Sequence, residues 1–524
     1  MRKFYQNAKL RLPLFVMVFA IVTGVMSCKK NDDGNYPEQP QLTLEGNKSI
    51  LVKPNTPIVA NLKFDAPGPD TKLLINKNNG PYRSIALDKN ATSYTFNEDM
   101  VSTTAKEGDS VVYQFFLTNG ANVKKSEGAD LVVNVAIYNE ITVGSTKVYN
   151  VTIPADGILS TGEITLAANR KYHISSSIQF SENTKFTVNR GAEVYMNAAA
   201  TDKVNLTFDP GAEVSVNGTA SAPVVMTSDK VLLGTTAASS DWGIFNIKGE
   251  GNGSNSGNVN YLRLEYAGNR AFRLQDVGKG TKIDYVQVYK SGEEGVMATN
   301  GDVNISHVIT TECKGAGFRL GDAYSGKIQY AIALTKTQTG ELDEISIRET
   351  ATPIISNLTI IGPGETGSNT HGIRLRATSA AKIYNSIVAF YPRRGVRLNE
   401  NVVTSGLNGP TVFAHSYVFK VSSDPYRDDR SGATNPFQGS FSDGVASNPF
   451  SNNVIYSATG ARSFDEIAGI AVGVYVPTAV KTSTFNPRTL DPFFQDGAFV
   501  GAVESAAKDW TKAWTRNADG QIRN

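Results

Sequence analysis

A six-residue block recurs along the middle of the chain: VNYLRL from Val259, IDYVQV from Ile283, ISHVIT from Ile305, IQYAIA from Ile328, ISNLTI from Ile355 and IYNSIV from Ile383. Successive starts lie 24, 22, 23, 27 and 28 residues apart. The first position is always Val or Ile, and the fourth and sixth are mostly apolar, with Thr310 and Ser386 as exceptions. Apolar residues two apart, flanked by polar ones, predict a short strand with one buried face. About a dozen residues after the block comes a second run: AFRL from Ala271, GVMA from Gly295, GFRL from Gly317, GIRL from Gly372 and GVRL from Gly395. The turn that starts at Ile328 lacks the glycine and carries EISIR from Glu344 instead. An earlier pair, VNRGAEV from Val188 and FDPGAEV from Phe208, repeats after 20 residues. Short strands at this spacing, with turns between and no competing 3.6-residue period, predict the rungs of a parallel β-helix. A single rung cannot bury its apolar face alone and must stack on its neighbours.

Composition narrows the picture. Hydrophobic residues make up 40% and charged residues 19%, which excludes a disordered chain, and 47 glycines favour strands and turns over helices. The fold class expected is therefore all-β. A length of 524 residues accommodates two to four domains. Before the repeat, residues 42–140 alternate short strand-like runs with turn signals such as Pro67-Gly68-Pro69, Asn79-Gly80 and Asn119-Gly120. Six or seven strands in so short a stretch predict an Ig-like β-sandwich. The parallel β-helix is expected over 157–420. Residues 421–524 read as a loop-rich C-terminal region, with 479–515 capping the open end of the solenoid, because an uncovered end is an adhesive edge.

The amino terminus has its own logic. Residues 1–11 are basic and polar and 12–26 form an apolar stretch, too short to span a bilayer comfortably but suited to a signal-peptide core. Val25-Met26-Ser27-Cys28 resembles a bacterial lipobox, which implies a signal peptide over 1–27, lipidation of Cys28 and a flexible tether over 28–41. The charged run Lys29-Lys30-Asn31-Asp32-Asp33 resembles the export signal of surface lipoproteins of glycan-foraging Gram-negative bacteria. That resemblance implies an outer-membrane lipoprotein facing the exterior, with the membrane and outer-membrane transport proteins as partners. Without the leader's Arg2, Lys3, Lys9 and Arg11 the formal charge falls from +2 to −2, which removes the electrostatic case for nucleic acid. Cys28 and Cys313 are the only cysteines, too few for a disulfide framework or a cysteine-based zinc site.

Three further stretches carry a family resemblance: Pro210-Gly211-Ala212-Glu213-Val214, the run NGTASAPVVMTS from Asn217, and Asp241-Trp242-Gly243-Ile244-Phe245. With the repeat, and with Phe499-Val500-Gly501-Ala502-Val503 and Asp509-Trp510 near the end, the chain resembles right-handed parallel β-helix proteins of the pectin-lyase-like superfamily. Among these it is similar to lipidated surface members.

Candidate chemistry lies in the second run of each rung. If its apolar residue and its Leu point inward, the Arg between them points out. Arg273, Arg319, Arg374 and Arg397 then form one outward column, interrupted by Met297 and extended sideways by Arg376. Such a column either lines a groove for an acidic glycan, because guanidinium forks match carboxylates, or pairs with acids such as Asp322, Glu349 or Glu400. Trp242 closes a turn or offers a sugar-stacking platform. The third block position (Tyr261, Tyr285, His307, Tyr330, Asn357, Asn385) is expected to stack rung over rung. Thr370-His371-Gly372 is similar to the Gly-His-Gly of polygalacturonases, but Thr370 replaces the first glycine and no partner aspartates precede it. Glu341, Asp343, Glu344 and Glu349 are a weak calcium cluster; no cofactor and no metal is implied. The function expected is non-catalytic binding of polysaccharide or another surface ligand, in nutrient acquisition or adhesion. A polysaccharide lyase or glycoside hydrolase of pectin-lyase-like type, or a purely structural envelope protein, is the alternative.

Overall fold

Alternation of apolar and polar residues becomes strand throughout the computed structural model, which describes residues 39–65, 70–119, 124–337, 342–366, 369–399, 402, 411–429, 450–451 and 466–524. The leader, Cys28, Glu341, Glu400 and most of the 422–453 run lie outside the described residues. Contacts divide the chain into two compact units.

The smaller unit takes the chain up to 47, then 60–95 and 112–131. Gln41–Glu45 pairs antiparallel with residues 61–65, and Lys72–Lys77 pairs antiparallel with both Gly80–Ala86 and residues 113–118. Leu73, Ile75, Phe115 and Leu117 alternate inward and are buried. The tight turn between Lys72–Lys77 and Gly80–Ala86 holds Asn78 and Asn79 at φ of 50° and 67°, a left-handed pair that asparagine tolerates at little cost.

The larger unit comprises 48–59, 96–111 and 132–524. It opens with Ser49–Val52 parallel to residues 132–135 and an antiparallel hairpin of Asn139–Val143 with Thr146–Asn150. Tyr149 of that hairpin then sits opposite Tyr172 in parallel register. From there each strand pairs in parallel with its counterpart one rung on, in one sheet of eleven strands and another of eighteen. This is a right-handed parallel β-helix. The six-residue blocks are in register as read: Val259, Ile283, Ile305, Ile328, Ile355 and Ile383 are successive partners, and Phe413 continues the row. All seven are buried.

The third block position is where the ribbon bends. Tyr261, Tyr285, His307, Tyr330, Asn357 and Asn385 all have φ between 47° and 58°, a conformation that costs a β-carbon residue roughly 1–2 kcal/mol. Stacking along the column offsets that strain: Tyr261 to Tyr285 is 4.2 Å between centroids at 6°, and Tyr285 to His307 is 4.3 Å at 2°. Inside the solenoid a second aromatic row runs Phe180, Phe208, Phe245 and Phe272, with centroids 4.5, 5.1 and 5.9 Å apart.

Among the described residues, 479–515, expected to cap the solenoid, belong to a strap laid along its side. The reason is polar and aromatic surface that the eighteen-stranded sheet cannot satisfy alone. Trp514 meets Tyr261 and Tyr285 edge-on, Trp510 meets His307, and Phe499 stacks on Tyr330. Asn357 donates through Nδ2 to the carbonyls of Gly497 and Phe499. Arg516 pairs with the buried Glu265 at 2.6 Å, its backbone N–H donates to Gln287 Oε1, and Arg263 donates to the Trp514 carbonyl. One continuous segment thereby satisfies buried polar groups on several rungs.

Candidate functional site

Because strand residues alternate between faces, the slot between two inward apolar residues of the eleven-stranded sheet must face out. Register partners in that slot run Gln179, Thr207, Asn246, Arg273, Met297, Arg319, Ser346, Arg374, Arg397 and Arg427. Arg273, Arg319, Arg374 and Arg397 therefore share one column, interrupted by Met297 and also by Ser346, and Arg427 extends it. Flanking them, Phe272, Leu274, Phe318, Leu320, Ile373, Leu375, Val396 and Leu398 are buried.

Guanidinium groups stacked at strand spacing, about 4.8 Å, repel unless counter-charges lie between them, and here carboxylates do. Arg319 pairs with Glu294 at 3.0 Å. Arg374 and Arg376 converge on one oxygen of Asp343, with Arg374 also donating through Nε to Asn399. Arg397 and Arg427 take the two oxygens of Asp429, at 2.7 and 2.6 Å. The partners are Glu294, Asp343 and Asp429, where the sequence suggested Asp322, Glu349 or Glu400. Most of the row is thus ion-paired, with two arginines sharing each carboxylate.

Arg273 differs. No ion pair reaches it among the described residues, and its Nε, like that of Arg319, is buried without a hydrogen-bond partner. Burial, reinforced by the positive charges of Arg270 and Arg319 and opposed by Asp322 and Glu294, holds its pKa below the usual arginine value. The residue lines a cleft of about 770 Å³ at the N-terminal end of the row. Its register partner Asn246, in Phe245–Lys248, lines the same cleft, is only 4% exposed, and has an Oδ1 with no partner. The neighbouring slot contributes Lys248 and Gln275, again register partners. Lys248 is committed to Asp209 at 2.9 Å, and Gln179 donates to the other Asp209 oxygen.

Trp242 is not a sugar platform. It is fully buried and donates through Nε1 to the Glu265 carbonyl at 2.7 Å, tying its turn to the end of the strand Gly257–Glu265. His371 is also enclosed, at 2% exposure. Burial lowers its pKa to about 4, with Arg394, Arg374 and Arg397 pushing the same way and Asp343 opposing, so the ring is neutral. Among the described residues no three His, Cys, Asp or Glu side chains are grouped to hold a metal ion. Sequence reasoning missed Asn246, although Phe245-Asn246-Ile247-Lys248 has the same apolar–polar alternation as Phe272-Arg273-Leu274-Gln275. Its rung lacked the leading block that marked the others.

A solenoid of stacked parallel rungs defines the class as a right-handed parallel β-helix. Residues 157–448, more than half of the chain, match the family model described as the pectate-lyase like beta helix domain, and the chain belongs to that family. Neither the comparison with curated proteins nor that with solved structures gave a match.

Proposed function

We propose that this protein is a lipid-anchored, cell-surface polysaccharide binder that holds its ligand along the outer face of the eleven-stranded sheet and does not cleave it. The observation that carries the reading is the cleft at Arg273, where a column otherwise held by ion pairs leaves a guanidinium with no ion pair and an amide oxygen with no hydrogen bond. An unsatisfied buried polar group costs about 1–3 kcal/mol, a cost that a hydroxyl-rich ligand removes on binding. Amide and hydroxyl side chains around it suit sugar hydroxyls, and the rung spacing of about 4.8 Å lets successive slots meet successive sugars. In this reading the sequence before residue 42 is a signal peptide, lipidated Cys28 and tether to an outer membrane, and residues 42–140 are an Ig-like spacer. Outer-membrane transport proteins are the partners that would receive a captured glycan.

The test is a glycan array on the mature protein, run alongside an absorbance assay for unsaturated products and a reducing-end assay on the glycans retained. Retention without product is expected. Release of unsaturated or reducing ends, abolished by substitutions on this face, would make the protein an enzyme and overturn the reading.

A further inference from the structure

Resting on that reading, we infer that the Arg273 cleft selects a glycan in which a single acidic sugar is flanked by neutral ones, and disfavours a polymer that is acidic at every unit. The argument is a balance of committed and uncommitted groups. Lys248 is neutralised by Asp209, and Ser177 and Asn205 are occupied by backbone partners, Ser177 donating to the Lys203 carbonyl and Asn205 accepting from the Ile244 N–H. These residues build the wall. Arg273 supplies the uncommitted positive charge, and Asn246 beside it supplies a buried, unpartnered acceptor. A guanidinium next to an amide oxygen, one strand spacing apart, accommodates one carboxylate and an adjacent donating hydroxyl.

The rest of the cleft repels further carboxylates. Asp156 and Asp202 line the same space, and Asp156 is held by accepting the Ile158 N–H at 3.0 Å. With Lys248 already paired, these two acids outnumber the free cation among the residues that line the cleft. A ligand charged at every unit would bring carboxylates against these two exposed acids, a repulsion strongest at low ionic strength. Neutral sugars on either side of the anchored unit avoid that contact and hydrogen-bond to the carboxylates through their hydroxyls.

Isothermal titration of the full mature protein with three oligomers of equal length tests this: alternating rhamnose–galacturonate, homogalacturonate and neutral galactan. The alternating oligomer is expected to bind at least tenfold tighter than either of the others. Arg273→Gln should lower that affinity at least tenfold and Asn246→Ala severalfold, while Arg273→Lys, which keeps the charge and loses the fork, should fall between. Asp156→Asn with Asp202→Asn should raise affinity for the homopolymer. Circular dichroism confirms that each variant is folded. Homogalacturonate binding as tightly as the alternating oligomer, or alternating-oligomer binding unmoved by Arg273→Gln, would overturn the inference and leave polysaccharide binding standing. No binding of any glycan by the wild-type protein would overturn both.

Discussion

Glu344 provides the sharpest test of how the interior is packed. It occupies the inward position that Gly295, Gly317, Gly372 and Gly395 hold on other rungs, and is 1% exposed. Room exists because the facing interior column, Leu264, Val288, Thr310, Ala333, Ile360 and Val388, narrows at Thr310 and Ala333. The carboxyl reaches the space above Gly317, where an added β-carbon would lie 2.7 Å from Glu344 Oε1, and its Oε2 has no partner. Burial raises its pKa from 4.5 to about 8; the nearby charge of Glu312 adds to this and the Thr335 hydroxyl opposes it. In the unfolded chain the same group ionises near 4.5. Between those two values the folded state retains a proton that the unfolded state has released, so stability falls as pH rises. It is full below about 4.5 and lost by about 8. At about 1.4 kcal/mol per pKa unit, the difference amounts to about 5 kcal/mol across that window. Glu344→Gln keeps the shape and a donor while removing the titration. Urea unfolding of both proteins at intervals from pH 5 to pH 9 is the assay. The wild type should lose several kcal/mol more than the variant between those limits, with the variant the more stable at the alkaline end. Parallel pH profiles would refute the claim that a neutral carboxyl sits inside the solenoid.

Other consequences follow from named contacts. Asp343→Ala leaves Arg374 and Arg376 facing each other without their shared carboxylate; a loss of about 1–3 kcal/mol in denaturant unfolding is expected. Arg397→Ala should cost less, about 1 kcal/mol or below, because Asp429 keeps Arg427. Gly317→Ala puts a β-carbon 2.5 Å from Thr310 Oγ1 and 3.0 Å from Ala333 Cβ, so unfolding should ease by about 1–3 kcal/mol through overpacking. Arg516→Ala leaves Glu265 with Arg263 as its remaining cation; hydrogen exchange should quicken first in the strap after residue 505, while the solenoid core stays protected.

How much of this was legible in the sequence depends on whether a feature repeats. The Val and Ile that lead each block fixed the register because every rung needs an apolar residue at one point of its cross-section. The same periodicity placed Arg273, Arg319, Arg374 and Arg397 in one column. The stacking of His307 between Tyr285 and Tyr330 followed from position alone. What did not repeat stayed hidden. The partners of the arginines come from neighbouring slots, Glu294, Asp343 and Asp429, whose positions vary from rung to rung. The turn-closing role that the sequence favours for Trp242 over sugar stacking has a partner, the Glu265 carbonyl, that no local pattern announces. The strap was read as a cap because its contacts, such as Arg516 with Glu265, join residues far apart in sequence and carry no period. Asn246 escaped because its rung departs from the block pattern.

The account rests on register between rungs, and a cross-link measures it most directly. Met297 and Arg319 are partners on adjacent parallel strands, within the Cα separation of about 4.4–6.8 Å that a disulfide requires. Met297→Cys with Arg319→Cys should therefore oxidise to an intramolecular disulfide. The control, Arg273→Cys with Arg319→Cys, spans two strand spacings, about 10 Å, and should not. Failure of the first pair to close in folded protein, or closure of the second, would contradict the ladder and with it the placement of every residue on the proposed binding face.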